Sequence, residues 1–507
     1  MTNKLQVSVL CSTLHRFIFV NWSTQCSAFM IRSLPLLICM LVSCLAVTCV
    51  RDYPSTSPYK APPVVSNPTS GGLPSQTQPS AQKRLYLDND KIRLGIDLNA
   101  GGAITYLSES SSTINMVNNN DLGRQIQTSL YAGPYPYIIS GKAPPPAQWI
   151  NLGWNPVQTG DYYNHPAQVV SYQQSANSLY VKTIPLIWPL FNEPAECVFE
   201  HWIELKDNTV RVRCHIVVNR PDTTKYESRT QEVPCVYLNG PYYRIIGYTG
   251  TKPFTNDAVS EYSDYENINR YGTENWMALM NASGKGVGLY KPNEVRFSSA
   301  RFGTTTNGGE YDVPSGYITS QPHVLLDHNG QYDFEYTLVM GTVNDIRQFA
   351  YSQPRPTQGP AFTFTNDRQG WYYHRTTDSG WPIKNELNVR WQRDDSTISR
   401  FRILSPTVCW QAANIGKLYV EAAFKTGGNV ARLCWRKPDE IDFIDVPDRY
   451  IDFPVIGDGQ YRTYEINTRQ VNGWDNVIAQ LSLTSPSSQY AYENGSMVRI
   501  RSVKYSN

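Results

Sequence analysis

The sequence predicts an all-β protein built from two successive β domains. Short segments rich in β-branched and aromatic residues alternate between apolar and polar positions along most of the chain. A Pro-rich break, "SQPRPTQGP" (352–360), separates two series of such segments, and no long segment combines helical apolar spacing with end caps. A chain of 507 residues is also too long for one ordinary core, which favours more than one domain.

Residues 1–50 contain an export segment. The run "LPLLICMLVSCLAVTCV" (34–50) is apolar and uncharged, with Arg32 before it and Arg51 after it. This run is short for a membrane span and slightly long for the apolar part of a signal peptide. We interpret Met30 as the true start, so that residues 1–29 are an upstream misannotation.

The export segment includes a match to a bacterial lipobox. Leu41, Val42, Ser43 and Cys44 follow one another, and this order resembles the recognition sequence in which the cysteine receives a lipid. A plain signal peptide and a membrane anchor helix are the alternatives. We therefore expect an exported protein at the cell surface, in the periplasm or outside the cell, with any membrane contact confined to such an anchor.

A flexible tether is predicted over residues 51–84. Its sequence "RDYPSTSPYKAPPVVSNPTSGGLPSQTQPSAQ" is rich in Pro, Ser and Thr and poor in large apolar side chains. Such a composition does not supply enough apolar surface to form a core.

Residues 85–351 are predicted to form the first β domain, to which we assign catalysis. The runs "KIRLGIDL", "AITYLSE" and "SLYVKTI" are typical strands. The best-defined element is a hairpin over 197–218, with "KDNT" as its turn. Its second strand carries two alternating sets, Val210, Val212, Cys214, Ile216 and Val218 on one face and Arg211, Arg213 and His215 on the other.

A short helix is predicted over 344–353, just before the linker at 352–360. The segment 361–507 then resumes the strand pattern up to "MVRIRSVKY". In "LYVEAAFKTGG", alternation points Leu418, Val420, Ala422 and Phe424 inward. Short strands separated by Gly-containing turns suit a jelly-roll sandwich.

Charge and cysteine content exclude several classes of function. The net charge of +2 gives no electrostatic case for nucleic-acid binding. The five cysteines beyond the export segment include no CxxC pair, and the histidines are scattered, so we expect no metal and no other cofactor. In a regular hairpin Cys197 and Cys214 do not face each other, because their pairing partners are Val218 and His201, whereas a bridge between Cys409 and Cys434 is left open. The chain lacks GxSxG, phosphate-loop and HExxH motifs.

The stretch "DLGRQIQTSLYAGPYPY" (121–137) alternates like a strand but carries an unusual polar face. Gln125, Gln127, Ser129 and Tyr131 share that face, and Arg124 stands at its start. We favour a face that lines or borders a sugar groove, with "YAGPYPY" as its aromatic rim. A solvated sheet face is the competing interpretation, and for Arg124 the competing role is a salt bridge with Asp121 or another acidic neighbour.

The first β domain resembles the galactose mutarotase-like β-supersandwich. The resemblance is carried by "NDKIRLGIDLNAGGAITYL", "NMVNNNDLGRQIQTSLYAGP" and "ENWMALMNASGKGVGLY". Residues 361–507 resemble the carbohydrate-binding jelly rolls appended to glycan-degrading enzymes, through "FTFTNDRQGW", "ILSPTVCW" and "NGWDNVIAQLSL". These resemblances imply sugar chemistry and do not select one reaction.

The loop "LGWNPVQTGDYYNHPAQV" (152–169) concentrates side chains suited to sugar binding. Aromatic rings stack on sugar faces, while amides and carboxylates bind hydroxyls, and loops on rigid β scaffolds often carry such residues. The residues of this loop assigned to substrate binding are Trp154, Asn155, Asp161, Tyr163 and His165. Together with Arg124, Gln127, Tyr131 and Trp276 they form the predicted binding set, and an ordinary structural loop is the alternative.

Two glutamates occupy positions where a strand pattern does not require an acid. Glu232 precedes Val-Pro at a strand start, where Pro234 predicts a bulge, and Glu274 precedes the apolar strand that begins at Trp276. Glycoside hydrolysis usually needs two carboxyls across the scissile bond. We therefore predict Glu232 and Glu274 as the catalytic pair, with ordinary surface carboxylates as the alternative.

These features together predict an exported enzyme that cleaves glycosidic bonds in a polysaccharide or oligosaccharide, by hydrolysis. One alternative is a polysaccharide lyase that acts on a uronic-acid-containing glycan, with His165 or Tyr163 as base and Arg124 neutralising the uronate. Another alternative is a non-catalytic surface protein that binds glycans.

Overall fold

The computed structural model describes residues 82–355, 358–378, 381–391, 401–485 and 496–506. The predicted export segment with Cys44, and the predicted tether up to residue 81, lie outside these residues. Within the described ranges, no helix is both long enough and apolar enough to cross a membrane.

Strands dominate the chain up to residue 342. In chain order they are β1 (Arg84–Asp88), β2 (Ile92–Asp97), β3 (Ala103–Glu109), β4 (Ile126–Ser129), β5 (Pro156–Val157), β6 (Gln168–Gln174), β7 (Ser178–Ile184), β8 (Leu186–Ile187), β9 (Cys197–Lys206), β10 (Thr209–Val218), β11 (Arg229–Thr230), β12 (Glu232–Asn239), β13 (Arg244–Gly247), β14 (Ser260–Tyr262), β15 (Ile268–Tyr271), β16 (Trp276–Met280), β17 (Lys285–Tyr290), β18 (Arg296–Phe302), β19 (Ser315–Ser320), β20 (His323–Val324) and β21 (Gln331–Thr342).

The elements after residue 342 are one helix and a second series of strands. They are the helix α1 (Val343–Ser352) and the strands β22 (Ala361–Thr363), β23 (Tyr372–His374), β24 (Thr376–Asp378), β25 (Leu387–Trp391), β26 (Arg402–Leu404), β27 (Trp410–Gln411), β28 (Lys417–Lys425), β29 (Val430–Arg436), β30 (Tyr450–Pro454), β31 (Arg462–Asn467), β32 (Val477–Ile478), β33 (Gln480–Thr484) and β34 (Met497–Ser506). Short 3-10 turns include Ala147–Leu152.

Two large antiparallel sheets form the first half of the fold. The ten-stranded sheet has the order β1-β2-β3-β4-β12-β19-β18-β15, with β5 beside β4 and β8 beside β5. The nine-stranded sheet has the order β14-β13-β16-β17-β21-β10-β9-β7-β6. The fold is an all-β supersandwich, as the sequence predicts.

One apolar core fills the space between these two sheets. From the ten-stranded sheet it receives side chains such as Leu94 and Ile318, and from the nine-stranded sheet Ile203 and Leu338, all of them buried. Each sheet therefore has an inner face, which packs in this core, and an outer face, which does not.

The hairpin prediction is confirmed residue by residue. Cys197 pairs with Val218 and Cys214 pairs with His201, so the two cysteines do not face each other. The apolar set of β10 is buried, while Arg211 and Arg213 are exposed on the outer face.

The predicted short helix is also present, as α1. Thr342 caps it, since its hydroxyl accepts from the Asp345 amide while the Asp345 carboxylate accepts from the Thr342 amide. The helix packs Ile346 and Ala350 against the outer face of the nine-stranded sheet.

A second pair of antiparallel sheets follows α1. A six-stranded sheet has the order β24-β25-β34-β28-β31, with β22 beside β34, and a five-stranded sheet has the order β23-β26-β33-β29-β30. Leu418, Val420, Ala422 and Phe424 lie in the core between them, as predicted. This arrangement is the sandwich that the jelly-roll prediction describes.

No disulfide joins any two of the described cysteines. Cys197, Cys214, Cys235 and Cys434 are buried, and Cys409 is half-buried. The bridge between Cys409 and Cys434 that the sequence left open is therefore absent.

The apolar core between the ten-stranded and the nine-stranded sheet should dominate the stability of the protein. We expect Ile318→Ala, at a fully buried site, to lower the free energy of unfolding by about 2–5 kcal/mol, because it opens a cavity between the sheets. Guanidinium denaturation followed by intrinsic fluorescence measures this loss. The matched control is Ile114→Ala, whose side chain is 72% exposed and should change the value by less than about 0.5 kcal/mol. Equal losses in the two variants would contradict the assigned core.

Candidate active site on the outer face of the ten-stranded sheet

The outer face of the ten-stranded sheet carries a row of aromatic side chains. Tyr237 of β12 pairs with Tyr317 of β19, and Tyr317 is the neighbour of Ala300 on β18. The ring centre of Tyr237 lies 4.6 Å from that of Tyr317 and 5.8 Å from that of Phe302. With Tyr131, the tyrosines Tyr237 and Tyr317 form what we call the tyrosine cluster.

Glu232 lies at the edge of this cluster. The Tyr131 hydroxyl donates to its Oε2 at 2.8 Å, and the Tyr317 hydroxyl donates to its Oε1. The register between β12 and β4 shifts between Glu232 and Cys235, so the bulge that Pro234 predicts is present. Glu232 and Tyr131 both retain some solvent-exposed surface.

The surroundings of Glu232 favour its protonated form. Burial raises the pKa of the Glu232 carboxyl above its usual value, and the hydrogen bonds from Tyr317 and Tyr131 only offset part of that effect. Burial and the charge of Glu232 raise the pKa of Tyr131, Tyr237 and Tyr317 well above the usual value for tyrosine. The tyrosines consequently remain hydrogen-bond donors, and Glu232 keeps its proton to a higher pH than a free glutamate.

A second carboxylate, Asp121, borders the same cluster. Arg124 Nε lies 3.2 Å from Asp121 Oδ2, and the Arg124 guanidinium lies 5.8 Å from the centre of the Phe302 ring. The charge of Asp121 adds to burial and Glu232 in raising the pKa of Tyr237. The salt bridge considered from the sequence is present, and it holds Arg124 and Asp121 beside the tyrosines.

Arg229 borders the other side of the cluster. Its guanidinium lies 5.5 Å from the centre of the Tyr131 ring and 4.5 Å from that of Tyr135, and it donates to the Leu152 carbonyl at 2.7 Å. Tyr135 is exposed. Within "YAGPYPY", Tyr131 and Tyr135 therefore lie against the same guanidinium.

An aromatic platform adjoins the loop that holds Arg124. The ring centres of Trp149, Tyr162 and Trp188 lie 6.0 Å from one another in edge-to-face contacts. Trp188 packs so closely on Gly123 that an added Cβ there would lie 2.8 Å from the indole. Trp149 and Tyr162 keep part of their surface exposed next to the site.

Most of the predicted binding loop is buried instead. Trp154 is 0% exposed, and its Nε1 donates to Glu196 Oε2 at 2.7 Å. Asn155 is 1% exposed and donates to the Leu130 carbonyl at 2.7 Å. The structure therefore corrects Trp154 and Asn155 as predicted substrate contacts. Both side chains are buried and hydrogen-bond within the protein, where they hold the loop against the neighbouring strands.

Asp161, Tyr163 and His165 organise the tip of the same loop. Asp161 is fully buried and accepts from the amides of Tyr163, His165 and Asn192. Its Oδ2 also lies 2.7 Å from His165 Nδ1. Tyr163 is 2% exposed, whereas His165 is partly exposed, so only His165 of these three presents surface to a ligand.

Gln127 is buried as well, which corrects both interpretations of its strand face. Its Oε1 accepts from the Thr159 amide and hydroxyl, at 3.2 Å and 2.8 Å. Gln125 is also buried, in a left-handed conformation with φ of 58°, and regular strand geometry begins only at Ile126. The polar face is neither solvated nor open to a ligand at these glutamines, because loops cover it.

Glu274 occupies a buried structural cluster. Its Oε2 accepts from Arg347 Nε at 2.9 Å and Trp276 Nε1 at 3.0 Å, while its Oε1 accepts from Arg347, Tyr351 and the Phe254 amide. Glu274 and Trp276 are both fully buried. This cluster ties α1 to the nine-stranded sheet.

The structure does not bring Glu274 to Glu232. Glu232 begins a strand of the ten-stranded sheet, whereas Glu274 lies beneath α1 on the nine-stranded sheet. Among the described residues the two carboxylates share no hydrogen-bonding partner, and both oxygens of Glu274 already accept from donors of its own cluster. We therefore withdraw Glu274 and Trp276 from the catalytic and binding predictions.

The site also contains residues that the sequence analysis missed. Tyr237, Tyr317, Asp121, Trp149 and Trp188 lie on separate segments, and local pattern does not show which strands become neighbours. The strands "EVPCVYLN" and "SGYITS" each carry one tyrosine. Because side chains alternate along a strand, an outward position for both tyrosines was the signal available in the sequence.

Among known proteins, the chain matches solved structures only. No protein-family model and no curated protein matches the chain. A galactose mutarotase-like protein from Lactobacillus casei shares 11% identity, with a TM-score of 0.33 over 51% of this chain and 100% of that one. A galactose mutarotase related enzyme from Lactobacillus acidophilus shares 9% identity, with a TM-score of 0.32 over 51% and 97%. The 4-alpha-glucanotransferase from Thermococcus litoralis shares 12%, with a TM-score of 0.30 over 53% and 40%.

The likeness to these structures extends over about half of the chain and concerns the fold, not the reaction.

Glu274→Gln should destabilise the protein. The substitution leaves the Arg347 guanidinium without its carboxylate, and we expect a loss of about 3 kcal/mol in a thermal or chemical unfolding measurement. The matched control is Glu261→Gln, which removes a more exposed partner of Arg244 and should cost less than about 1 kcal/mol. A Glu274→Gln variant that unfolds like wild type would contradict the structural role.

The same carboxylate should make stability depend on pH in a defined direction. Burial would raise the pKa of Glu274, but the hydrogen bonds from Arg347, Tyr351, Phe254 and Trp276 hold it below its usual 4.5. Because the folded pKa is lowered, the stabilisation is complete above the unfolded value and is lost as pH falls through the folded value. The Tm difference between wild type and Glu274→Gln should therefore shrink below about pH 4.5. A difference that grows on acidification would show that the sign is wrong.

Proposed function

We propose that the outer face of the ten-stranded sheet binds a polysaccharide or oligosaccharide and hydrolyses a glycosidic bond there. This proposal rests on the Glu232 carboxyl. It is partly exposed, it accepts hydrogen bonds from two tyrosine hydroxyls, and its pKa is raised. Export of the protein is part of the same proposal and rests on the sequence of residues 1–50.

Glu232 has the properties of a general acid. Glycoside hydrolysis requires one carboxylic acid to protonate the leaving oxygen, and a raised pKa lets Glu232 keep that proton to a higher pH than an ordinary glutamate does. Tyr131 and Tyr317 fix the carboxyl in position. After it has given up its proton, the same hydroxyls donate to the carboxylate and stabilise its charge.

Asp121 replaces Glu274 as the second carboxyl of this proposal. Its carboxylate pairs with Arg124, and its Oδ1 accepts from the Gly123 amide at 2.8 Å. A carboxylate beside the cluster is the group required as a nucleophile or as a base that activates water.

The aromatic platform supplies a surface for sugar rings. Trp149 and Tyr162 present apolar ring surface beside hydrogen-bonding groups, a combination suited to a sugar with one apolar face and several hydroxyls. Its position next to Gly123 places a bound sugar close to Arg124 and Asp121.

The lyase alternative is less well supported by the geometry. Burial and the charge of Asp161 raise the pKa of Tyr163, which disfavours this tyrosine as a base, and the tyrosines around Glu232 are shifted in the same direction. Arg124 is already engaged by Asp121 and by the Val313 carbonyl. A lyase would instead have to rely on His165, at the tip of the loop.

Glu232→Gln should reduce turnover by at least about 100-fold, because Gln keeps the volume of the side chain but cannot give up a proton. The measurement is release of reducing ends from a polysaccharide panel, with ultraviolet absorbance of unsaturated uronides recorded in parallel. Thermal unfolding should change little, which separates a chemical effect from a folding effect.

Glu274→Gln serves as the comparison in this assay. At a temperature where that variant is folded it should retain turnover, since Glu274 is buried away from the site. Retained turnover in Glu232→Gln would overturn the proposed acid, and products that absorb in the ultraviolet would replace hydrolysis by elimination.

Trp149→Ala should weaken substrate binding more than it slows chemistry. Loss of one aromatic contact of about 1.4 kcal/mol corresponds to a KM raised about 10-fold, with kcat largely kept. The matched control is Trp381→Ala, whose indole hydrogen-bonds Asn329 in another part of the fold. If KM rises equally in both variants, the platform does not bind substrate.

A further inference from the structure

A large groove lies on the outer face of the nine-stranded sheet, away from Glu232. Its volume is about 1260 Å³. Strands β7, β9, β10 and β21 form its floor, and the segment Gln353–Arg355 after α1, with Pro292 and Asn293, forms a wall. Pockets for small ligands typically measure about 300–1,000 Å³, so this groove is large enough for a chain of several units.

The floor of the groove contains a row of side chains in register across five strands. Gln173 pairs with Tyr180, Tyr180 with Trp202, Trp202 with Arg213, and Arg213 with Glu335. Neighbouring strands lie about 4.8 Å apart, so the row extends for about 19 Å. The row can therefore give an extended ligand a series of contacts along a line perpendicular to the strands.

Trp202 forms the rigid centre of this row. The Tyr180 ring centre lies 5.1 Å from that of Trp202 on one side, and the Arg213 guanidinium lies 4.1 Å from it on the other. Among the described residues no acceptor binds this stacked guanidinium, so its N–H groups are available to a ligand at its edge. Such pre-organisation lowers the entropy cost of binding an anion.

The two guanidiniums on the floor of the groove have no carboxylate partner among the described residues. Arg211 and Arg213 are two residues apart on the same face of β10, and no ion pair to Glu204 or Glu335 forms, although these glutamates are their cross-strand neighbours. Unpaired guanidiniums favour a ligand with carboxylates, which they bind in two-pronged geometry.

Carboxamides make up much of the remaining lining. Each carboxamide both donates and accepts hydrogen bonds, as sugar hydroxyls do. The carboxamides of the groove are Gln173, Gln174, Asn177, Asn293 and Gln353.

From this lining we infer that the groove is a second carbohydrate-binding site, which takes an acidic oligosaccharide of several units bearing uronate carboxylates. The arginines bind the carboxylates, and the amides with Glu204 and Glu335 bind the hydroxyls. Those glutamates also disfavour a ligand with a charge on every unit and no hydroxyls, such as an acidic peptide. The inference does not depend on Glu232 or on the reaction proposed for it.

The test measures binding of an oligogalacturonate hexamer to the full chain by isothermal titration calorimetry at low salt. Wild type should bind the hexamer more tightly than it binds cellohexaose, a neutral hexamer of similar length. The Arg211→Ala/Arg213→Ala double variant should weaken binding of the acidic hexamer at least 10-fold, the scale of one lost charged contact. Glu232→Gln should leave this component of binding unchanged.

Arg93→Ala is the matched control, because Arg93 also stacks on an aromatic ring, Tyr86 at 4.7 Å, but lies on β2 of the other sheet. It should bind like wild type, and circular dichroism should show that all variants are folded. Arg213→Lys provides a second variant that keeps the charge and loses the two-pronged geometry, and it should fall between wild type and the double variant.

Three results would overturn the inference. They are equal binding by wild type and the double variant, equal affinity for the neutral and acidic hexamers, and tighter binding of a glutamate hexapeptide than of the acidic hexamer. Loss of binding in Arg211→Ala/Arg213→Ala with unchanged turnover in the hydrolysis assay would support this site independently of the proposed reaction.

Discussion

The packing of one large sheet against another is the constraint on which the rest of the first sheet pair depends. Apolar side chains such as Ile318 and Leu338 occupy the space between the sheets, so one face of each strand that contributes to this core is buried. Because side chains alternate along a strand, the remaining half of each strand must point outward. The catalytic proposal and the groove both use these outward positions, one on each sheet.

The same side chain has opposite properties on the two outer faces. Glu274 accepts from Arg347 and several other donors, so its charge is fully compensated and its pKa falls. Glu232 has two neutral tyrosine donors and, within the part of the chain that the structure describes, no ion pair with a cation, so burial prevails and its pKa rises. A compensated charge holds α1 in place, whereas a carboxyl that keeps its proton can take part in proton transfer.

Local pattern was sufficient to predict the fold class and several elements. Alternation over 197–218 predicted the register of the hairpin, including the pairing of Cys214 with His201, and the short helix was predicted to within a residue. Such elements depend on neighbours in sequence, which a single sequence shows.

The candidate site depends on neighbours in space, which a single sequence does not show. Tyr131 donates to Glu232, and Arg124 lies beside Phe302 on the same sheet face, but Tyr317 reaches Glu232 from a strand more than 80 residues away. Trp154, Asn155 and Gln127 have the chemistry of sugar-binding residues, yet their polar groups satisfy the backbone and loops of the protein itself. Residue type does not show whether an amide faces a ligand or its own chain, because burial is decided by segments far apart in sequence.

Buried cysteines give each of the two large sheets its own chemical reporter. Burial raises the pKa of Cys197 and Cys235 well above the usual range, and that of Cys214 to about 12. Only the thiolate reacts with alkylating reagents, so these positions become reactive when the strands around them separate. Cys214 reports on the nine-stranded sheet and Cys235 on the ten-stranded sheet. The order in which a thiol reagent labels them therefore gives the order in which the two sheets open, without any engineered probe.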